Sequence, residues 1–265
     1  MTIIELNKKL YTIPTCWNEL TRKQLLSVME SLFVKAFDIN QGRLQLLKIL
    51  TGMSWWQFFR TSTAQLQEFF YLTDFIISDR TNLTRQILEE YRGLYGPASD
   101  FDNLLMSELA LCDNLFMRWS EERDKTEYLD ELISMLYRPV RKGTLLKRYD
   151  KKINPEGDVR EEFNQNKCFY RARKIVKHWP LSVKLAIATW YDGCRWQMVD
   201  ENEEVFGGSG NSDVSKYGLV SVMLSVAETG TFGDFNKVEK QFVKTVMMQL
   251  NDSIARAREM EKQMK

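Results

Sequence analysis

The sequence predicts a mainly α-helical, multi-helical globular protein with a small N-terminal β-hairpin. Apolar residues recur at three- and four-residue spacing along most of the 265 residues, and several Ser/Thr-x-x-Gln pairs mark helix starts. An alternating apolar pattern around a polar turn predicts the hairpin. The apolar fraction of 44% and the charged fraction of 28% are those of ordinary globular proteins, which argues against extensive disorder.

The hairpin is predicted at the start of the chain. Its apolar residues are Ile3, Ile4 and Leu6 before the polar turn Asn7-Lys8-Lys9, and Leu10, Tyr11 and Ile13 after it. Pro14 lacks a backbone N–H donor, so we expect the second strand to end there.

Three capping boxes predict helices in the N-terminal part of the chain. They pair Thr21 with Gln24, Ser54 with Gln57, and Ser62 with Gln65. The first helix is expected to run to about Phe37, and a second helix, without a box, to stop near Gly52. The box at Ser54 begins a short aromatic helix. The last box begins one helix that carries apolar residues from Leu66 to Ile76 and is buried on more than one side.

The middle of the chain contains an ambiguous segment and then a helical pair. Residues 78–101 permit either strands or a short helix before Gly96-Pro97 breaks the chain. The spacing predicts helices over 104–119 and 128–137, and Pro139 ends the second because its ring cannot continue the hydrogen-bond ladder. The short connection favours an antiparallel pair.

A basic loop at 138–157, rich in Lys, Arg, Pro and Gly, is the candidate domain boundary. It predicts an N-terminal subdomain at 1–140, a loop at 141–157 and a C-terminal helical subdomain at 158–265. The alternative is one integrated domain.

The C-terminal part is predicted to be helical as well. The predicted segments are a helix from Asp158, capped with Glu161, to about Lys177; a helix from Pro180 to Met198; a flexible loop at Gly207–Gly210; a helix from about Asp213 to Glu228; a turn at Gly230–Gly233; and a long one-sided helix carrying Phe235 to Ile254.

Composition excludes several classes of function. With 37 Lys and Arg against 36 Asp and Glu, the formal charge of +1 provides no global field toward nucleic acid or anionic lipid. The four cysteines lie far apart without metal-ligand spacing, so we expect reduced, mostly buried thiols and neither a metal nor a cofactor. No apolar run reaches the roughly 18 residues that a membrane span needs, and the N-terminus lacks the apolar core of a signal peptide. We therefore expect no membrane insertion.

The short aromatic helix contains the candidate partner interface, Trp55, Trp56 and Phe59. Adjacent residues on a helix point about 100° apart, so the two tryptophans cannot both face one core. One of them is expected at a subdomain contact or a partner interface, since aromatic residues dominate binding energetics. Ordinary helix packing is the alternative.

The strongest charge asymmetry lies in the basic loop and predicts a contact with phosphate or with an acidic partner. The candidate residues are Arg141, Lys142, Lys147, Arg148, Lys151 and Lys152. Arg138 before them and Arg171 after them extend the cluster. Against this interpretation, the acidic residues at 200–204 can neutralise the loop, and a solvated loop and helix face explains the same composition.

No pattern indicates a reaction centre. The single histidine, His178, has no cysteine near it, and no GxSxG turn surrounds a serine. The glycines at 207, 208 and 210 lack the Gly-Lys-Ser/Thr ending of a phosphate loop. The paired carboxylates at Asp100 and Asp102, and at 201–204, lie in polar segments. The sequence therefore predicts a protein that is not an enzyme.

Four segments resemble a family of phage and prophage proteins from Bacteroidota, encoded among tail or virion-assembly genes. They are LYTIPTCWNELTRKQLL at 10–26, LYGPASDFDNLLMSELALCDNLFMRW at 94–119, LISMLYRPVR at 132–141 and VAETGTFGDFNKVEKQ at 226–241. The resemblance implies a tail assembly factor or a structural component, located in the bacterial host cytoplasm or in the virion. It implies other phage or virion proteins, or further copies of the chain, as partners, and no catalytic residues.

Three hypotheses follow. The first is a non-enzymatic protein-interaction factor in phage tail or virion assembly. The second is a nucleic-acid-associated protein that uses residues 138–152, and it predicts strongly salt-dependent binding. The third is an enzyme of unrecognised class, which requires a polar pocket that gathers carboxylates or His178.

Overall fold

Helices account for most of the structure, and the strands form two small sheets. The computed structural model describes residues 1–6, 8–34, 39–78, 81–141, 158–206 and 219–264. The predicted fold class, mainly α with an N-terminal β-hairpin, is confirmed. The chain divides into two units, Met1–Leu88 with Trp179–Cys194 and Glu89–His178 with Arg195–Lys265. The boundaries between the two units do not fall in the basic loop.

The N-terminal hairpin forms where the alternating pattern predicts it. Its strands are β1 (Thr2–Leu6) and β2 (Lys9–Ile13), paired antiparallel. Ile4 and Tyr11 lie opposite each other and are buried, whereas Ile3 and Leu10 are exposed. Successive side chains of a strand point to opposite faces, so one face of the hairpin packs inward and the other faces solvent.

The helices of the first unit follow the predicted capping boxes. They are α1 (Arg22–Met29), a π-helical turn at Glu30–Val34, α2 (Ile39–Thr51), α3 (Trp55–Arg60) and α4 (Thr63–Gln67). At Thr21, Ser54 and Ser62 both hydrogen bonds of the box are present. The α-helical geometry of the first helix changes to π-helical geometry after Met29 and continues to Val34, and the predicted end near Phe37 lies outside the described residues.

The prediction of one helix from Leu66 to Ile76 is wrong. After α4 the chain forms a 3-10 turn at Phe70–Thr73 and then α5 (Asp74–Ile77). Phe69 at the break has φ −103° and ψ 8°, and the Thr73 hydroxyl donates to the Phe70 carbonyl at 2.7 Å. This side-chain hydrogen bond competes with the helical ladder.

In the ambiguous segment 78–101, the part that lies in the second unit forms strands before Gly96-Pro97. β3 (Glu90–Tyr91) and β4 (Leu94–Tyr95) pair antiparallel across a turn in which Arg92 and Gly93 have positive φ. Tyr95 exchanges two backbone hydrogen bonds with Arg138, at 2.8 and 3.0 Å. Val140 in turn bridges Arg160. The two ends of the basic loop therefore belong to one unit, because backbone hydrogen bonds join them.

The remaining helices confirm most of the predicted pattern. They are α6 (Met106–Glu121), α7 (Thr126–Leu136), α8 (Gln165–Lys174), a 3-10 turn at Val176–His178, α9 (Leu181–Glu201), α10 (Glu203–Phe206), α11 (Leu219–Glu228), α12 (Phe235–Val238) and α13 (Val243–Gln263). α6 and α7 pack together, and α9 begins in the first unit. The predicted loop at Gly207–Gly210 lies outside the described residues.

Two predictions for the C-terminal part are wrong. Residues 158–164 are not helical, and α8 begins instead after Asn164, whose side chain accepts from the Lys167 N–H. The apolar stripe from Phe235 is divided between α12 and α13, because the carbonyls of Glu239 and Gln241 accept hydrogen bonds from the N-terminal N–H groups of α6. A helix N-terminus has no intrahelical acceptors for these groups.

The helices show no membrane-spanning candidate. Within the described ranges, none combines the length and the apolar character that a bilayer crossing requires.

Candidate functional site

The aromatic surface consists of Trp55, Trp56 and Phe59, all on α3 in the first unit. Their exposed fractions are 58%, 81% and 75%, and α3 has no buried residue. The Ser54–Gln57 capping box fixes the start of this short helix. The sequence predicted one tryptophan at a contact; in the structure both lie on the surface, together with Phe59.

Two rings of the aromatic surface, those of Trp55 and Phe59, are ordered by contact with each other. Trp55 and Phe59 are one helical turn apart and stack with their centroids 5.5 Å apart at 22°. Phe58 meets the Trp55 ring edge-on, at 6.3 Å. These geometries are the favourable ones for aromatic pairs. Trp55 and Phe59 are therefore preformed as part of this surface, and their burial by a partner costs little side-chain ordering.

Two cations border the aromatic surface. Lys48 of α2 places its Nζ 3.9 Å from the centroid of the Trp55 ring, a cation–π contact. Arg60 ends α3 one turn after Trp56 and is exposed. Among the described residues, neither cation forms a salt bridge. The surface thus presents aromatic rings and positive charge together.

A second cluster of functional side chains, which we call the ion cluster, is buried in the second unit. It comprises Glu108, Arg138, Asp158 and Arg160. Glu108 lies in the first turn of α6, with its Oε1 2.7 Å from Arg138 Nη1 and its Oε2 3.3 Å from Arg160 Nη2. Asp158 accepts from Arg160 Nε at 2.9 Å and from Nη2 at 2.8 Å. The Arg138 and Arg160 side chains are only 2% and 0% exposed. Both buried charges are compensated by the neighbouring carboxylates.

The backbone and the charges around Arg160 hold the ion cluster together. Arg160 Nη1 also donates to the Leu136 carbonyl at 2.9 Å. Burial disfavours the charged form of Asp158, but the Arg160 charge and hydrogen bonds outweigh it and lower the pKa of this carboxyl. Likewise, burial acts against the Arg160 cation, but Glu108 and Asp158 raise its pKa. Asp158 and Arg160 are therefore both in their charged forms near neutral pH.

A cleft of about 430 Å³ opens over the ion cluster. Phe163 and Phe242 line it together with the four charged residues, and Arg141 and Lys240 stand beside Glu161, Glu162 and Glu239. The two buried guanidinium groups are held by carboxylates, and the exposed charges have both signs. A carboxylate with a lowered pKa is a weak proton acceptor, and this arrangement serves packing better than proton transfer.

The basic candidate residues are only partly described. Arg141 is half-buried, and its N–H donates to the Val159 carbonyl at 2.8 Å. The other five, Lys142, Lys147, Arg148, Lys151 and Lys152, lie outside the described residues. Arg138 and Arg171, which extend the cluster in the sequence, are both buried. Neither is presented to a phosphate backbone in this structure.

The other chemistry-bearing residues lie apart from one another. His178 is exposed at the end of a 3-10 turn, and three of the cysteines, Cys112, Cys168 and Cys194, are buried. Asp102 pairs with Lys244, and Glu204 pairs with Arg258. Within the ranges that the structure describes, no group of His, Cys, Asp and Glu residues is arranged to hold a metal ion.

The ion cluster is the feature that sequence reasoning missed. Its one signal is Glu108, a carboxylate one turn before Cys112 on an otherwise apolar face of α6. Its partners, Arg138 and Arg160, stand 30 and 52 residues away along the chain, a separation that no local pattern reveals.

Comparisons with known proteins do not extend this description. Searches against protein-family models, curated proteins and solved structures find no significant match to this chain.

Proposed function

We propose that this chain is a non-enzymatic protein-interaction factor that acts in phage tail or virion assembly. The observation that supports the interaction role is the aromatic surface: Trp55, Trp56 and Phe59 are ordered on a capped helix and are more than half exposed. The resemblance of four sequence segments to phage and prophage proteins supports the assembly role. The proposed partners are other virion proteins, or further copies of this chain, in the host cytoplasm or the virion.

The energetics favour a partner for this surface. A large aromatic side chain has about 150 Å² or more of surface that can be buried. Removing apolar surface from water contributes about 25 cal/mol per Å² to the binding free energy. Covering one ring would therefore stabilise a complex by roughly 4 kcal/mol before the costs of association. Left exposed, the same rings contribute little to folding and lower solubility.

Site-specific photo-cross-linking tests the proposed function. We would place p-benzoyl-phenylalanine at position 56 in cells that assemble the particles, and at position 170 as a control, because Tyr170 is also well exposed but lies on α8 in the second unit. We expect position 56, and not position 170, to cross-link to a virion protein. Equal labelling at both positions, or normal particle formation without the chain, would contradict the proposal.

The solution mass separates the two forms of this proposal. Size-exclusion chromatography with light scattering, at two salt concentrations and over a range of protein concentrations, gives the oligomeric state. A stable ring-sized oligomer favours a structural virion component, whereas a persistent monomer favours a chaperone or adaptor. Steeply salt-dependent nucleic-acid binding, lost when Lys147, Arg148, Lys151 and Lys152 are replaced by Glu, would instead favour the nucleic-acid alternative.

A further inference from the structure

We infer that the aromatic surface binds an acidic amphipathic segment of the partner protein; this inference rests on the proposed function and specifies the chemistry of the partner. The charges of the first unit carry the argument. From Ile39 to Gln67 the sequence has no Asp or Glu, but it contains Arg43, Lys48 and Arg60. Arg43 is paired with Asp74 at 2.7 Å, which leaves Lys48 and Arg60 beside the rings.

Helix geometry places these two cations on either side of the apolar patch. Trp55 and Phe59 lie one turn apart on one face of α3, and Lys48 covers the Trp55 ring. Trp56 and Arg60 lie one turn apart on the adjacent face. A partner with apolar side chains over the rings and carboxylates on both flanks satisfies both the apolar area and the two cations.

The size of the patch is compatible with a helical partner segment. The six residues of α3 span roughly 9 Å, which corresponds to about two turns of a facing helix. An amphipathic helix presents apolar residues at i, i+3, i+4 and i+7 over such a distance, with acidic residues beside them.

Single-stranded nucleic acid is the competing occupant, because it also binds to surfaces that contain aromatic rings and cations. The ring contacts disfavour it. Trp55 and Phe59 stack on each other, and Lys48 occupies a face of Trp55, so these faces are not available to stack bases. Two cations are also fewer than the basic groove that follows a phosphate backbone.

The experiment is a binding measurement on the full chain by fluorescence anisotropy with labelled 18-residue helical peptides. One peptide has a Leu face flanked by Glu, the second has the same face flanked by Lys, and the third has the Glu flanks with Ala in place of Leu. We expect the Leu/Glu peptide to bind about tenfold more tightly than either of the others, and its affinity to fall as salt rises. An oligo-dT strand is measured in parallel.

Charge reversal gives the sharpest test. K48E/R60E should bind the Leu/Lys peptide more tightly than the Leu/Glu peptide, whereas R173E/K174E, the same charge change at exposed residues of α8, should leave the preference unchanged. R60E alone changes one exposed residue and is measured in case the double variant does not fold. It should reduce the preference for the Leu/Glu peptide severalfold. Equal binding of all peptides, no binding, or tighter binding of oligo-dT overturns the inference.

The two proposals fail separately. A cross-link from position 56 to a virion protein, without any preference for the Leu/Glu peptide, leaves the proposed function standing and overturns the acidic partner. A clear Leu/Glu preference without a virion cross-link leaves the surface chemistry standing and overturns the assembly role.

Discussion

The aromatic surface and the ion cluster both depart from the usual distribution of side chains, in which apolar groups are buried and charged groups are exposed. At the aromatic surface, apolar rings are exposed beside cations that form no salt bridge among the described residues. In the ion cluster, charges are buried and each one is paired. Buried charges belong to the folded unit, since their partners are other residues of that unit. The exposed rings contact each other and Lys48 within the unit, but their outward surface is covered only when another molecule binds.

The largest expected effect comes from breaking the ion cluster. Arg160→Ala leaves the buried Glu108 and the partly exposed Asp158 with one guanidinium group instead of two, so we expect a loss of about 3–5 kcal/mol of unfolding free energy. Urea denaturation followed by circular dichroism measures it. Arg256→Ala is the control, because its partner Asp252 and Arg256 itself are exposed, and its midpoint should stay unchanged. Equal midpoints for the two variants would show that the ion cluster does not stabilise the second unit.

The pH dependence of stability is the next largest effect. The pKa of Asp158 is lowered in the folded state, so its contribution is fully present above the ordinary Asp value of 3.8 and is lost as the pH falls through the folded value. Below pH 4 the wild type should therefore lose stability more steeply than Asp158→Asn. Urea midpoints at pH 7, 5, 4 and 3 measure this difference.

The control for the pH prediction is Asp102→Asn. Asp102 pairs with Lys244 on the surface and is exposed, so this substitution should leave the wild-type pH dependence unchanged. Parallel curves for the wild type and Asp158→Asn would contradict the prediction.

The contrast between the two regions also explains what the sequence could predict. All three capping boxes are correct because both partners of each box lie within four residues of the chain. The Asp158–Glu161 pair has a cap-like spacing, but Asp158 instead binds Arg160 and Arg138. Leaving the Arg160 and Arg138 charges unpaired would cost more than a helix cap contributes. The contact with Arg138, 20 residues away, is not contained in any local pattern.

For a related reason, the sequence does not determine which side chains of α3 are exposed. Adjacent tryptophans showed that one ring must leave any single core, but the sequence does not say which face of a six-residue helix is covered. Packing from the rest of the unit decides it, and here it covers neither tryptophan. The prediction of one long helix over the apolar stripe from Phe235 is wrong for the same kind of reason, because the backbone of 239–241 forms hydrogen bonds with the start of α6.

Loss of the α3 cap should have a moderate effect. Ser54→Ala removes the acceptor of the Gln57 N–H, and we expect about 1 kcal/mol of destabilisation, measured as a lower midpoint of thermal unfolding. Ser54→Asp keeps a side-chain acceptor and should retain most of the stability. If both variants unfold alike, the cap does not hold the aromatic helix.

The smallest effect on stability is expected from the residues proposed to matter most for binding. Trp56→Ala removes an exposed ring that stacks on no other ring among the described residues, so the unfolding free energy should change by no more than about 0.5 kcal/mol. Trp17→Ala provides the comparison: Trp17 is buried, and its Nε1 donates to the Phe75 carbonyl at 2.9 Å, so its loss should cost about 3–5 kcal/mol. Urea denaturation measures both. A Trp56→Ala variant as unstable as Trp17→Ala would assign the aromatic surface to folding, whereas a stable one that no longer binds the Leu/Glu peptide would assign it to the partner.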